Sequence, residues 1–189
     1  QGVFNMITYN EIYEAARKER YSEQLQPIAK NFIEEVSEYL KDKKQITLKE
    51  DDSFSEVILK TKKQLENAIT LFKELMIRRR KKILNLVLIA SETGISKQDF
   101  DNMLVFEKFL FEDLMKCVDS SDKKLNESLN GKKSESKKNE LVVFTANVEE
   151  FIGMDGEKIG GFEKGQIANL PREIVKILIE DGKVEVVDG

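Results

Sequence analysis

Apolar residues recur at three- and four-residue spacing through the first two-thirds of the chain, which is the pattern of amphipathic helices. The first predicted helix opens with a T-x-x-E capping box, in which Thr8 and Glu11 satisfy two backbone amides, and it ends near Arg20. A second helix is predicted from near Pro27, whose fixed φ suits a first helical turn. Residues 41–52 are rich in charge and are interpreted as a connector.

The longest apolar stripe predicts one long helix, or two nearly collinear helices, from about Ser53 to Ser91. Ser53 and Glu56 form a second capping box at its start. Neither proline nor glycine interrupts the stripe before Gly94, which is a suitable C-terminal stop.

A further helix is predicted from Ser96 to about residue 118. Cys117 lies on its apolar stripe and is expected to be a buried structural thiol, because the chain has no histidine that could activate it. Phe106 and Phe109 lie off that stripe, so this helix is apolar on most of its sides and needs cover on most of them. Some of this surface is therefore expected to be buried against another subunit.

The composition changes after this helix. Residues 119–140 are rich in Lys, Ser, Asn and Glu, which predicts a flexible polar linker. From Leu141 the apolar period becomes two, as in a strand. The elements predicted after that first strand are a hairpin turn at Asp155-Gly156, a strand over Gln166 to Leu170, a short helix from Pro171 that ends at Gly182, and a strand over Val184 to Val187.

These patterns together predict a mainly α N-terminal domain of four to five helices and a small C-terminal α+β domain that is rich in β structure. The helical assembly domain covers residues 1–118, the flexible linker 119–140 and the small domain 141–189. Residues 1–5 are interpreted as an expression remnant, with the natural start at Met6.

The composition argues against an enzyme. The chain has no histidine and one cysteine, so the commonest general base and the commonest metal ligands are missing, and we expect neither a catalytic site, a metal nor a cofactor. No apolar run approaches the ~20 residues of a membrane helix. The small domain holds 10 acidic and 5 basic residues, which suits contact with proteins better than contact with phosphates.

Five consecutive cations, Arg78 to Lys82, form the most specific local signal in the helical region. They suit three roles: a patch that binds DNA phosphates, ion pairs between subunits, or a solvated basic turn. Arg79 and Arg80 fall on the phase of the buried stripe, which favours the interface interpretation.

The order of parts resembles the GINS family, and in particular its larger archaeal subunit, in which the helical domain precedes the β domain. Two motifs carry the resemblance. The first is Arg79-x-x-Lys82-Ile83 within a long helix. The second comprises Phe151-x-Gly153-x-Asp155-Gly156, Gly161-Phe162-x-x-Gly165, Leu170-Pro171, Leu178 and Gly182.

The resemblance implies a non-catalytic subunit of the GINS DNA replication complex, which is a homo- or hetero-tetramer. Such a complex scaffolds the minichromosome maintenance (MCM) helicase and a RecJ/Cdc-type partner at the replication fork, and it contacts a replicative polymerase or primase. The implied location is cytoplasmic and nucleoid-associated, with weak or indirect DNA contact. The alternative is a nucleic-acid-binding protein that uses Arg78 to Lys82.

The resemblance also assigns roles to residues. Arg79, Lys82 and Ile83 would lie in the helical assembly core, and with Phe106 and Phe109 they form the predicted subunit interface. The small β domain would be mobile and would recruit partners. The residues that would shape this partner-binding domain are Phe151, Gly153, Gly156, Phe162, Gly165, Leu170 and Pro171.

Overall fold

The computed structural model describes residues 6–49, 56–130 and 139–187. The chain divides into two compact units, Gln1–Lys82 and Ile83–Gly189. The first unit is helical, and the second combines helices with small antiparallel sheets. This confirms the predicted fold class, a mainly α region followed by a small region that is rich in β structure.

Three helices contribute to the first unit: α1 (Tyr9–Arg20), α2 (Phe32–Lys49) and the N-terminal part of α3 (Glu56–Glu92). The predicted capping box is present at the start of α1. The Thr8 amide donates to Glu11 Oε2 at 2.7 Å, and the Glu11 amide donates to Thr8 Oγ1 at 3.3 Å.

Helix α2 differs from the prediction at both ends. It begins at Phe32 instead of near Pro27, and it continues to Lys49, so most of the predicted connector is helical. Residues 41–49 contain no glycine or proline and are rich in lysine, which favours the helix even where few apolar side chains are available. The predicted capping box at Ser53 lies outside the described residues.

The core of the first unit forms where these three helices pack their apolar stripes together. Its buried residues are Ile7, Ile12, Ala16, Phe32, Val36, Tyr39, Ala68 and Leu75. Within each helix they recur at three- and four-residue spacing or its multiples, so the periodicity identified the buried faces.

Helix α3 is a single helix of 37 residues, as the uninterrupted stripe predicts. Gly94 follows it with a φ of +86°. A Cβ at this position would lie 2.5 Å from the backbone oxygen of Ile167, so both the conformation and the space require glycine. The predicted stop after α3 is therefore confirmed.

The second unit contains a four-stranded antiparallel sheet, in the order β1-β5-β2-β6, and a separate β3–β4 hairpin. Its elements after α3 are β1 (Ile95–Ser96), α4 (Lys97–Asp101), α5 (Val105–Asn130), β2 (Asn139–Phe144), β3 (Phe151–Ile152), β4 (Lys158–Ile159), β5 (Gln166–Pro171), α6 (Arg172–Glu180) and β6 (Val184–Val186).

The alternation predicted after Leu141 is present in β2. Val142 and Phe144 are buried, and the Phe144 ring stacks on Phe162 with 4.3 Å between the ring centroids. Buried residues of β5, α6 and β6 complete this core, which lies between the sheet and α6: Ala168, Leu170, Ile174, Val175, Leu178 and Val184.

Strand β1 is not predicted by the sequence. Ile95 pairs with Ile167, and Ser96 pairs with Gln166, so a segment of the predicted helical domain becomes an edge strand of the small sheet. Residues on both sides of the predicted linker therefore belong to one compact unit.

The single helix predicted from Ser96 is two helices, α4 and α5. Ser96 caps α4, since its Oγ accepts from the Asp99 amide at 3.1 Å. Met103 and Leu104 are buried in the break that follows. The Leu104 amide donates to Glu107 Oε2 at 2.8 Å, which satisfies a donor at the start of α5.

Helix α5 continues to Asn130, so the flexible linker predicted from composition is wrong for residues 119–130. This last part of α5 is solvated on most sides, and Lys123 Nζ lies 3.9 Å from Glu127 Oε1 one turn away. Residues 131–138 of the predicted linker lie outside the described residues.

Cys117 is exposed, so the prediction of a buried thiol is wrong. The buried face of α5 passes through Phe111 and Met115. Cys117 follows Met115 by two residues, which places it about 200° around the helix from that face.

Candidate functional site

A buried ion-pair cluster occupies the first unit, and we call its residues Glu19, Arg79 and Lys82 the Glu19 cluster. Arg79 Nη1 lies 3.0 Å from Glu19 Oε2, and Lys82 Nζ lies 2.5 Å from Glu19 Oε1. The side chains of Glu19 and Arg79 have no exposed area, and that of Lys82 is 16% exposed. One carboxylate of α1 therefore binds two cations of α3.

The same cations hold the segment that follows α1. Arg79 Nη1 donates to the carbonyl of Gln26 at 2.6 Å, and Lys82 Nζ donates to the carbonyl of Gln24 at 2.9 Å. Lys82 Nζ also donates to the carbonyl of Glu19 at 2.8 Å. Charged donors satisfy these carbonyl groups, so the cluster holds the segment after α1 against α3.

The Glu19 cluster corrects the interface prediction for the basic run. Arg79 and Lys82 bind a carboxylate of their own chain, not one of another subunit. Arg79 and Ile83 are fully buried, so neither offers surface to a neighbouring subunit in this structure. Both residues contribute to the buried interior of the protomer.

The rest of the basic run is exposed or partly exposed. Arg78 Nε lies 2.9 Å from Glu74 Oε1, and Arg20 binds the same carboxylate through two nitrogen atoms at 3.0 and 2.7 Å. These hydrogen bonds, that of Arg20 first, hold the pKa of Glu74 below its ordinary value. Arg80 and Lys81 are exposed, so three of the five cations hold carboxylates of their own chain and two face solvent.

Phe106 and Phe109 are half exposed on α5, at 50% and 53%. Leu84 and Leu88, on the C-terminal part of α3, are also exposed. Large apolar side chains with this much free surface are typical of contacts with other chains when they lie in one patch. The two phenylalanines are thus available for the predicted subunit interface.

Most motif residues of the β domain build its structure. Phe162 and Leu170 are buried in the core, and Phe151 packs against it. The Gly165 amide donates to the carbonyl of Phe144 at 2.7 Å. Pro171 stands at the N-terminal boundary of α6.

Gly153 and Gly156 form the turn of the β3–β4 hairpin. The Gly153 amide donates to the carbonyl of Glu157 at 2.7 Å, and the Gly156 amide donates to the carbonyl of Gly153 at 3.0 Å. Gly156 has a φ of +79°, as the predicted Asp155-Gly156 turn requires.

A cleft of about 460 Å³ lies beside this hairpin, and we call it the hairpin cleft. Its walls are the end of α3 with the two residues that follow it (Ala90–Gly94), the β3–β4 hairpin and the junction of β5 with α6 (Ala168–Pro171). The sequence did not indicate a concave site here, because the α3 wall precedes the other two walls by about 60 residues or more in the chain.

A partly buried polar contact in the second unit joins α5 to the sheet. Asn169 Nδ2 donates to Asp119 Oδ2 at 2.5 Å, and Asn139 Nδ2 donates to Asp119 Oδ1 at 3.3 Å. Burial raises the pKa of Asp119, although both hydrogen bonds act in the opposite direction. Sequence reasoning missed this contact because it placed Asp119 in a solvated linker.

The described residues contain no group of three or more His, Cys, Asp or Glu side chains placed to hold a metal ion. Over the same ranges, no helix has both the length and the apolar character that a membrane span needs.

Residues 140–187 match the family model described as Gins51, C-terminal domain, which supports a GINS subunit of the Gins51 type. This supports a part in DNA replication and association with other GINS subunits. No curated protein matches the chain.

Proposed function

We propose that the chain is a non-catalytic scaffold subunit of an archaeal GINS tetramer, which holds the MCM helicase together with a RecJ/Cdc-type partner at the replication fork. Its helical region binds the sister subunits. The tetramer is built from one kind of chain or from two kinds. Its β domain recruits partners, among them a replicative polymerase or primase. DNA contact is weak or indirect, and the protein acts in the cytoplasm at the nucleoid.

The observation that carries this proposal is the Gins51-type domain together with the exposed aromatic pair on α5. Aromatic side chains bury large apolar areas and often dominate interface energies. Phe106 and Phe109 are three residues apart on one helix, so a neighbouring chain can cover both. We therefore retain Phe106 and Phe109 as the proposed subunit interface.

The basic run gives little support to the alternative of a nucleic-acid-binding protein. Arg78, Arg79 and Lys82 each pair with a carboxylate of the same chain, which leaves Arg80 and Lys81 facing solvent. Two exposed cations provide a small electrostatic term compared with the 6–10 phosphate contacts at which binding becomes tight and steeply salt-dependent.

The mass of the complex in solution tests the assembly. Light scattering after size exclusion is expected to show a tetramer, for the chain alone or with its sister subunit. The double variant Phe106→Ser/Phe109→Ser is expected to reduce that mass while the helical circular dichroism is unchanged. Ile177→Ser is a matched control, because this residue of α6 is 56% exposed.

Binding of purified MCM helicase and RecJ-type partner to the assembled complex tests recruitment. A chain that stays monomeric both alone and with its sister subunit contradicts the scaffold. A complex that assembles but binds neither partner leaves the assembly in place and contradicts the proposed recruitment.

A further inference from the structure

The hairpin cleft is open enough to admit side chains of another protein. Its volume, about 460 Å³, lies in the range of ligand sites, roughly 300–1,000 Å³. Glycines and backbone groups line the hairpin side, where Gly153, Gly160 and Gly161 carry no side chain to fill it. A Cβ on Gly153 would lie 2.6 Å from Ile159 Cδ1, so a side chain at this position would require the Ile159 side chain to move.

The charged side chains around the hairpin cleft are predominantly acidic. The acidic residues among its walls are Glu92, Asp155, Glu157 and Glu173. The one basic residue among the walls is Lys158, whose Nζ lies 2.8 Å from Glu150 Oε1. The walls therefore carry four negative charges and one positive charge, and the positive charge already has an acidic partner.

The end of α3 adds to the same negative potential. The C-terminal end of a helix carries a partial negative charge, which basic side chains in the last turn often offset. The last turn of α3 has no basic residue, and it forms one wall of the cleft. A cation from another molecule would find both the carboxylates and the helix end favourable.

Apolar residues also line the hairpin cleft, next to the acidic residues that form its acidic rim. Met154 is 70% exposed at the hairpin, and Phe162 and Leu170 lie behind the cleft. Methionine adapts to the shape of an apolar neighbour because its side chain is unbranched and flexible. The cleft thus offers contacts for an apolar side chain next to sites for a positive charge.

We propose that the hairpin cleft binds a peptide segment of a partner protein in which Lys or Arg residues alternate with apolar residues. The proposal rests on the recruiting role of the β domain and names the chemistry of what it recruits. Phosphate-bearing ligands are disfavoured by the acidic rim, and no metal-binding group lies among the described residues of the cleft.

Fluorescence anisotropy tests the proposal with the full chain and a labelled peptide in which lysines alternate with leucines. A counterpart with glutamates in place of the lysines is the charge control for the probe. The lysine peptide is expected to bind and the glutamate peptide to remain free. Equal binding of the two peptides, or no binding of the lysine peptide, overturns the proposal.

Matched variants locate the binding site. Glu157→Gln/Glu173→Gln removes two charges from the cleft, and Glu180→Gln/Glu185→Gln removes two exposed charges of the same domain outside it. The first pair is expected to weaken the lysine peptide about 5-fold and the second less than about 2-fold, as the loss of two exposed ion pairs predicts. Equal weakening by both pairs identifies a general charge effect and overturns the assignment to the cleft.

Assembly is measured on the same proteins by light scattering, so that the two proposals fail separately. A complex of unchanged mass that does not bind the lysine peptide overturns the cleft proposal alone. A chain that never assembles overturns the scaffold, whereas the anisotropy result still decides whether the cleft binds a basic peptide.

Discussion

Glu19 shows how one side chain can determine the packing of a helical unit. A glutamate is rarely fully buried unless it is paired, and here both carboxylate oxygens bind cations. Removing one partner from such a cluster leaves a buried charge without compensation, which costs more than the pairs themselves contribute. Glu19 follows Ile12 and Ala16 at the spacing of the buried stripe, so the sequence contained a signal that its charge obscured.

Glu19→Ala is therefore expected to reduce the free energy of unfolding by about 3–5 kcal/mol, because it leaves Arg79 buried without this carboxylate. Chemical denaturation measures the difference. The control is Glu14→Ala on the same helix, since Glu14 pairs with Arg17 at 2.8 Å on the surface and should cost less than about 1 kcal/mol. Similar losses for the two variants would contradict the buried role of Glu19.

Asp119 is expected to contribute more to the stability of the second unit in acid than near neutrality. Burial raises the pKa of its carboxyl, so between the ordinary and the raised value the folded chain binds more protons than the unfolded chain. The contribution of this group to stability therefore falls as the pH rises through that interval. It remains lower at higher pH.

Two variants of Asp119 test this contribution by denaturation across the pH range. Asp119→Asn is expected to remove the local pH dependence and to change stability at neutral pH by less than about 0.5 kcal/mol, because an oxygen acceptor is kept for Asn169. Asp119→Ala loses both hydrogen bonds and should cost about 1 kcal/mol or more. An unchanged pH profile in Asp119→Asn would refute the assignment.

At the scale of elements, strong local periodicity determined what the sequence could predict. Helix α3, strand β5 and helix α6 were predicted close to their observed bounds, since each has a clear apolar period and a glycine or proline at an end. Strand β1 has only two residues, and its pairing with β5 joins positions about 70 residues apart, which no local pattern reports. The end of α5 was missed because a solvated helix and a polar linker have the same composition.

The candidate functional residues show the same limit: local patterns report the phase of a residue on its helix but not its distant partners. The exposed positions of Phe106 and Phe109 followed from their phase on the helix. The pairing of Arg79 with Glu19 could not be predicted from the sequence, because the two residues are 60 positions apart and each could equally have contacted another chain. The hairpin cleft likewise depends on tertiary structure.

The end of α3 is the element boundary that a single methyl group should disturb. Gly94→Ala is expected to cost about 2–4 kcal/mol, since the residue has a positive φ and its Cβ would lie 2.5 Å from the Ile167 oxygen. The matched control is Gly156→Ala. Gly156 has a φ of +79° but no atom within 4 Å of a new Cβ, so only the conformational cost of about 1 kcal/mol applies. Thermal unfolding of the two variants measures the contrast, and equal losses would contradict the tight contact at Gly94.

At the scale of the whole molecule, the second unit differs from a domain on a free tether. Its sheet includes β1 from the region before α5, and Gln166 Nε2 donates to the carbonyl of Thr93 at 2.9 Å. Asp119 of α5 binds side chains of both β2 and β5. The sheet is therefore completed by residues on both sides of the polar segment, and the proposed partner-binding surfaces lie on a framework that α5 and β1 support.

Removal of residues 139–189 tests this organisation. If the β domain were only tethered, the rest of the chain would be unaffected by its loss. The structure instead predicts that amides from Ile95 to Asp101 lose protection against hydrogen exchange, because β1 loses its partner strand and Ile95 loses its cover. Amides of α1 serve as the control and should keep their protection, since the first unit has its own core. Unchanged protection over residues 95–101 would show that β1 and α4 do not depend on the sheet.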